Sequence, residues 1–192
     1  MSSFEYLVAL LSVVAALGLA RALSGIAKLI HSRDQITFSW IHILWTINVL
    51  VWLVAYWWFS FALATVDAWT PGLLLFVLAY GALIYFLLAL LYPDQLEAGA
   101  DLFDYFAKNR KWFFGALILL GMMDLIDAIV KSNVTELAGP PMPAYLLFMS
   151  VWIAPAVAAL FIENKVFHAI YSVIFFSALV GYVQHISLAI TL

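Results

Sequence analysis

Cysteine is absent from the chain. That excludes a disulfide framework, a thiolate metal site and a cysteine nucleophile, and it leaves the redox compartment open. Charge is scarce too: 10% of residues are Asp, Glu, Lys or Arg, against roughly 25% in an ordinary soluble domain. No basic tract is present to attract nucleic acid, and a net charge of -3 says little about partners. No HExxH, G-x-S-x-G or P-loop pattern occurs, so the zinc, serine-hydrolase and nucleotide chemistries those patterns carry are not indicated. No catalytic residue and no metal site is assigned.

What fills the 192 residues is apolar: 67% are hydrophobic and the mean hydropathy is +1.09. Such a chain cannot cover itself against water and belongs to the membrane class, with the lipid bilayer as its first partner. A helix needs about 20 apolar residues to cross the hydrocarbon core. Six runs approach or exceed that length: Phe4 to Ile30, Phe38 to Val66, Pro71 to Tyr92, Trp112 to Val130, Ala144 to Ile162 and Val166 to Ile190. The expected fold is an all-α membrane protein, one polytopic domain with six transmembrane helices.

Local signals mark the ends. Glu5 follows Ser2 at the capping-box spacing. Thr70 and Pro71 supply an N-cap and a first helical residue, and Pro93 closes the third run. Gly139-Pro140-Pro141-Met142-Pro143 is an extended hand-over, and Pro155 falls inside the fifth run, where a kink is expected. Arg21, Lys28, Arg33, Lys108, Arg110, Lys111 and Lys165 fall on one side of the predicted spans and only Lys131 on the other. By the positive-inside rule the richer side is cytoplasmic, so both termini face outward. Met1-Ser2-Ser3-Phe4-Glu5 lacks the basic start of a cleaved leader. Between the third and fourth runs, Leu96, Leu102, Phe103 and Phe106 recur at roughly helical spacing. Asp94, Glu97, Asp101 and Asp104 precede Lys108, Arg110 and Lys111. This pattern predicts an amphipathic helix over about 94–110 lying on the inner leaflet.

Several short motifs carry a resemblance. Phe4-Glu5-Tyr6, Leu23-Ser24-Gly25, Trp69-Thr70, Pro93-Asp94 and the run Asn109-Arg110-Lys111-Trp112-Phe113-Phe114-Gly115 resemble an uncharacterised family of small bacterial inner-membrane proteins. The resemblance spans most of the chain. It implies a bacterial inner-membrane location and carries over neither an activity nor any functional residue.

Ionisable groups in lipid are costly and are candidate sites by default. Asp124 and Asp127 interrupt an otherwise apolar stretch. Asp127 has an answer in Lys131, four residues on in the favoured acid-then-base order. Asp124 has none on its own helix, and His185, with Gln184 beside it, is its expected partner at similar depth. The reading for Asp124 is either a structural hydrogen bond or a proton or cation site. Ser177, Ala178 and Gly181 share the face of His185, a stripe of small residues suited to close packing.

On the second run, His42, Trp45, Asn48, Trp52 and Tyr56 form one polar and aromatic stripe. It reads as helix–helix glue, or alternatively as an aromatic pocket for a lipid tail or quinone. Trp57, Trp58 and Trp69 suit the outer aromatic belt, and Trp40 and Trp112 the inner one. Arg21 and Lys28 are expected to snorkel to the inner headgroups, Arg21 pairing otherwise with Glu163, Asp94 or Glu97. His42 and His168 lie near the same membrane face, and two such histidines could ligate a haem.

These groups favour an oligomeric channel or transporter for ions, protons or a small solute. The alternative is an accessory protein that binds partner membrane subunits or lipid, and an exposed aromatic stripe on the second run would favour it. A haem- or quinone-binding redox protein is the remote third reading.

Overall fold

Thr70 and Pro71 open a helix as their chemistry requires. The Thr70 hydroxyl accepts from the Leu73 N–H at 3.2 Å, and Pro71 stands at the first helical position, where its missing N–H costs nothing. Among its described residues the computed structural model contains six α-helices: α1 Ser3–His31, α2 Trp40–Phe59, α3 Pro71–Leu91, α4 Leu102–Val134, α5 Met142–Ala159 and α6 Lys165–Ile190. A 3-10 segment, Ser60–Thr65, extends α2. The structure describes residues 3–66, 69–93, 95, 98–134 and 142–190, without the side chains of 3, 65, 133, 134, 142 and 185–190. Ser2, Asp94, Leu96, Glu97, the 139–141 stretch and the His185 side chain lie outside the described residues.

Among the described residues five helical stretches are long and apolar enough to cross a membrane: Phe4–His31, Trp40–Ala64, Pro71–Leu91, Leu102–Ser132 and Lys165–Gln184. The described chain is therefore all-helical, with helices compatible with a membrane protein. α5 is shorter than the predicted Ala144 to Ile162. It stops at Ala159 because Leu160 and Phe161 turn their N–H groups back three residues, onto Val157 and Ala158. Asn164 then caps α6, its side chain accepting from Val166 N–H at 2.8 Å and Phe167 N–H at 3.2 Å.

The separate amphipathic helix predicted over 94–110 is corrected by the structure. Gly99 turns the chain with φ 83, Thr37 and Asp101 form a short parallel bridge, and Asp101 caps a helix that starts at Leu102. That helix then runs unbroken for 33 residues as α4. The reason is packing. Leu102 and Phe106 are buried in the bundle core, so the apolar positions read as lipid-facing are core-facing. No proline separates them from the membrane span.

α2 is the hub. α1 packs on α3, α3 on α4, α4 on α5 and α5 on α6, and α2 touches α1, α3, α4 and α6. The stripe His42, Trp45, Asn48, Trp52 and Tyr56 is the inward face of that hub and is buried throughout. Trp45 shows why it packs. The rings of Phe113, Phe114, Tyr171 and Phe175 surround it at 5.2 to 5.4 Å, each such pair contributing about 0.5–1.5 kcal/mol beyond its buried area. Asn48 donates to the Ser172 carbonyl at 3.1 Å, tying α2 to α6. Trp40, Trp58 and Trp112 are exposed at the two ends of the bundle, where an aromatic belt would sit.

Candidate functional site

Gly121 lies one turn before Asp124 on α4. A Cβ at Gly121 would sit 3.2 Å from Ile153 and 3.3 Å from Trp152, so its absence lets α5 come close. Trp152 uses that proximity to donate to the Leu117 carbonyl at 3.0 Å. The same approach carries Tyr145, near the start of α5, to the carboxylate of Asp124. Its hydroxyl donates to Asp124 Oδ2 at 3.0 Å. From the other side Tyr80, midway along α3, donates to Asp124 Oδ1 at 2.9 Å. Behind Tyr80 the indole of Trp52 on α2 donates to the phenol oxygen at 3.1 Å. Tyr56 stacks on Tyr80 at 4.7 Å and donates to the Val77 carbonyl, which fixes the plane of the Tyr80 ring.

One carboxylate thus joins α3, α4 and α5, with α2 behind. Tyr80 and Tyr145 are buried while Asp124 itself is only partly so. One turn toward the end of α4, Asp127 and Lys131 form the expected ion pair at 2.6 Å, their side chains 15% and 17% exposed. Chemically the site is an acid whose two oxygens meet exchangeable O–H groups, and such a group can gain and lose a proton.

The sequence singled out Asp124, and the structure answers it with two phenols that sequence reasoning passed over. The signal was present: Tyr80 stands in the middle of the third span, where a hydroxyl in lipid must find a partner. Gln184 is exposed. The stripe on α2 is brought together as core, each polar member held by another helix except the Trp45 indole, whose N–H has no partner among the described residues. An apolar groove of about 450 Å³, including Leu50, Val54, Trp58 and Val183, lies on the face of α2 away from the stripe.

The remaining expected residues gather at the Lys/Arg-rich end. Arg21 reaches the end of α3, donating to the Tyr92 carbonyl at 2.8 Å, a cation on the free carbonyls of a helix C-terminus. Glu163 pairs with Arg110 at 2.6 Å. His42 hydrogen-bonds the Leu91 carbonyl through Nε2, and His168 the Ile162 carbonyl at 2.9 Å. His168 is boxed in by Phe114, stacked at 5.4 Å, and Phe106, edge-on at 5.5 Å, while His42 packs on Tyr92. The two histidines thus sit in separate enclosures, each on its own backbone carbonyl. Among the described residues no group of three His, Asp or Glu side chains converges on a metal site.

Fold and site together define a class: an all-helical protein with helices long and apolar enough to cross a membrane and a hydrogen-bonded carboxylate inside one of them. Comparison of the chain with protein families, curated proteins and solved structures finds no match.

Proposed function

We propose that the chain is a six-span protein of a bacterial inner membrane, termini outward, that works as an oligomeric channel or transporter at Asp124. The transported species is a proton, an ion or a small solute. The observation that carries the proposal is the carboxylate itself: partly exposed within a membrane-length helix and answered on both oxygens by tyrosine hydroxyls of neighbouring helices. A buried structural acid needs only partners. Here both partners are themselves hydroxyl groups that exchange protons. The Lys and Arg bias supports the orientation. The accessory reading asked for an exposed aromatic stripe on the second span, and that stripe is buried.

The test is flux into proteoliposomes, followed with a trapped pH dye and with ion-selective dyes. Wild type is expected to carry current, and Asp124→Asn is expected to fall to the liposome background while eluting as a folded protein of the same size. Equal flux in the two proteins, or none in wild type, rejects the proposal.

A further inference from the structure

The two oxygens of Asp124 are held differently, and the difference lies one bond further out. An indole N–H can only donate. Trp52 therefore occupies an acceptor position on the Tyr80 oxygen, at 3.1 Å. The Tyr80 hydrogen cannot turn toward Trp52, because two donors would then face each other. It is fixed on Asp124 Oδ1. The order of donation Trp52 to Tyr80 to Asp124 is thus set by the indole, and Oδ1 stays an acceptor in either protonation state.

Among the described residues Tyr145 has no such backing. Its hydroxyl donates to Asp124 Oδ2, and among the described residues no donor occupies its acceptor side. It can rotate and accept instead. The ring packs 6.0 Å from Tyr182 of α6, and Tyr182 stacks on Phe148 at 4.3 Å, so the ring is held while the O–H bond remains free to turn. The other titratable and charged groups near the acid are Tyr182 of α6, which lies beside both Asp124 and Tyr145, and Asp127 with Lys131 on α4, while Tyr56 and Trp52 of α2 stand behind Tyr80. Lys131 is engaged by Asp127, so of the two acids Asp124 is the one hydrogen-bonded by phenols.

We infer that Asp124 is protonated and deprotonated at Oδ2, and that Tyr145 is the positioning residue that admits the proton by reversing its hydroxyl. A proton from water forms the O–H bond at Oδ2, Tyr145 turns from donor to acceptor, and release reverses both movements. The inference rests on the proton version of the proposed function and names the atom at which it works.

The test reads the carbonyl stretch of the protonated acid by infrared difference spectroscopy during a pH titration in liposomes. The Asp124 band is identified by its loss in Asp124→Asn. In wild type the C=O is Oδ1, hydrogen-bonded by Tyr80. Tyr80→Phe is expected to free it and move the band to higher wavenumber. Tyr145→Phe is expected to leave the band within a few wavenumbers of wild type, because it removes the partner of the O–H and not of the C=O. The reverse pattern, equal shifts in both variants, or no protonated band in wild type overturns the inference. A normal band pattern in a protein without flux would reject transport and leave the proton position standing, so the two failures are distinguishable.

Discussion

Two polar clusters bind the helices of this protein, one at the Lys/Arg-rich end and one at Asp124, and they are built from different acceptors. At the basic end the acceptors are backbone carbonyls: Leu91 for His42, Tyr92 for Arg21, His42 for the Thr46 hydroxyl at 3.1 Å. Because Thr46 uses its hydrogen on His42, its contact with the Tyr92 hydroxyl at 2.9 Å must run from Tyr92 to Thr46. A backbone carbonyl does not change its protonation state, so these carbonyl contacts can only hold. At Asp124 the acceptor is a carboxylate and the donors are phenols. Helices are tied there too, but one group can change charge and one donor can turn. The comparison separates a fastening from a candidate working site without reference to any relative.

The sharpest way to break this contrast is to attack the fastening. A Cβ at Gly25 would lie 2.3 to 2.6 Å from three ring atoms of Tyr92, and that ring cannot retreat while its hydroxyl is held by Thr46 and its carbonyl by Arg21. Gly25→Ala is expected to destabilise the bundle by about 3 kcal/mol, the upper end of overpacking effects. Gly115→Ala is the control: a Cβ there meets nothing within 4 Å, and helix propensity predicts a gain of up to ~1 kcal/mol. Unfolding in bicelles measures both, and similar values for the two would remove the claim that α1 and α3 are locked at this end.

A smaller effect tests the difference in acceptor. Double-mutant cycles pairing Tyr80→Phe with Asp124→Ala, and Tyr92→Phe with Thr46→Val, isolate one hydrogen bond from each cluster. A bond to a charged group contributes about 1.5–3 kcal/mol, whereas hydrogen bonds between membrane helices average about 0.6 kcal/mol. The first coupling should therefore be the larger by about threefold. Equal couplings would mean that Asp124 is neutral in the resting protein and that the contrast in charge is wrong.

How far these clusters were legible differs as well. The helices could be read because hydropathy over 20 residues has few alternatives, and Thr70-Pro71 fixed one start to the residue. The boundary at 94–110 was misread because spacing shows that Leu102 and Phe106 share a face but not whether that face meets lipid or core. The end of α5 was missed because Leu160, Phe161 and Ile162 are as apolar as the helix before them. At the site, Asp127–Lys131 was readable because both partners lie on one helix four residues apart. Asp124 was recognised as a problem without its solution. Its partners come from α3 and α5, 44 and 21 residues away, and tyrosine counts as nearly neutral on hydropathy scales. A search for charged partners therefore leads to His185. Phenols inside spans belong in such a search on the same footing as histidines.

The smallest expected effect concerns the pair beside the acid. An i, i+4 ion pair at a helix surface contributes about 0.3–0.5 kcal/mol, and Asp127–Lys131 is only partly shielded, so Lys131→Met alone should cost about 0.5 kcal/mol in the unfolding measurement. The loss also changes the surroundings of Asp124. Without Lys131, Asp127 is an uncompensated carboxylate one turn from Asp124, and like charges at that spacing repel by a similar amount. Adding Asp127→Asn removes both the lost pair and the repulsion, so the double variant should recover toward wild type. Recovery would show that Lys131 protects Asp124 from its neighbour as well as pairing with Asp127. A double variant no more stable than Lys131→Met would mean that the two acids do not feel each other. Asp124 would then be insulated by Tyr80 and Tyr145, and its charge governed by those two phenols alone.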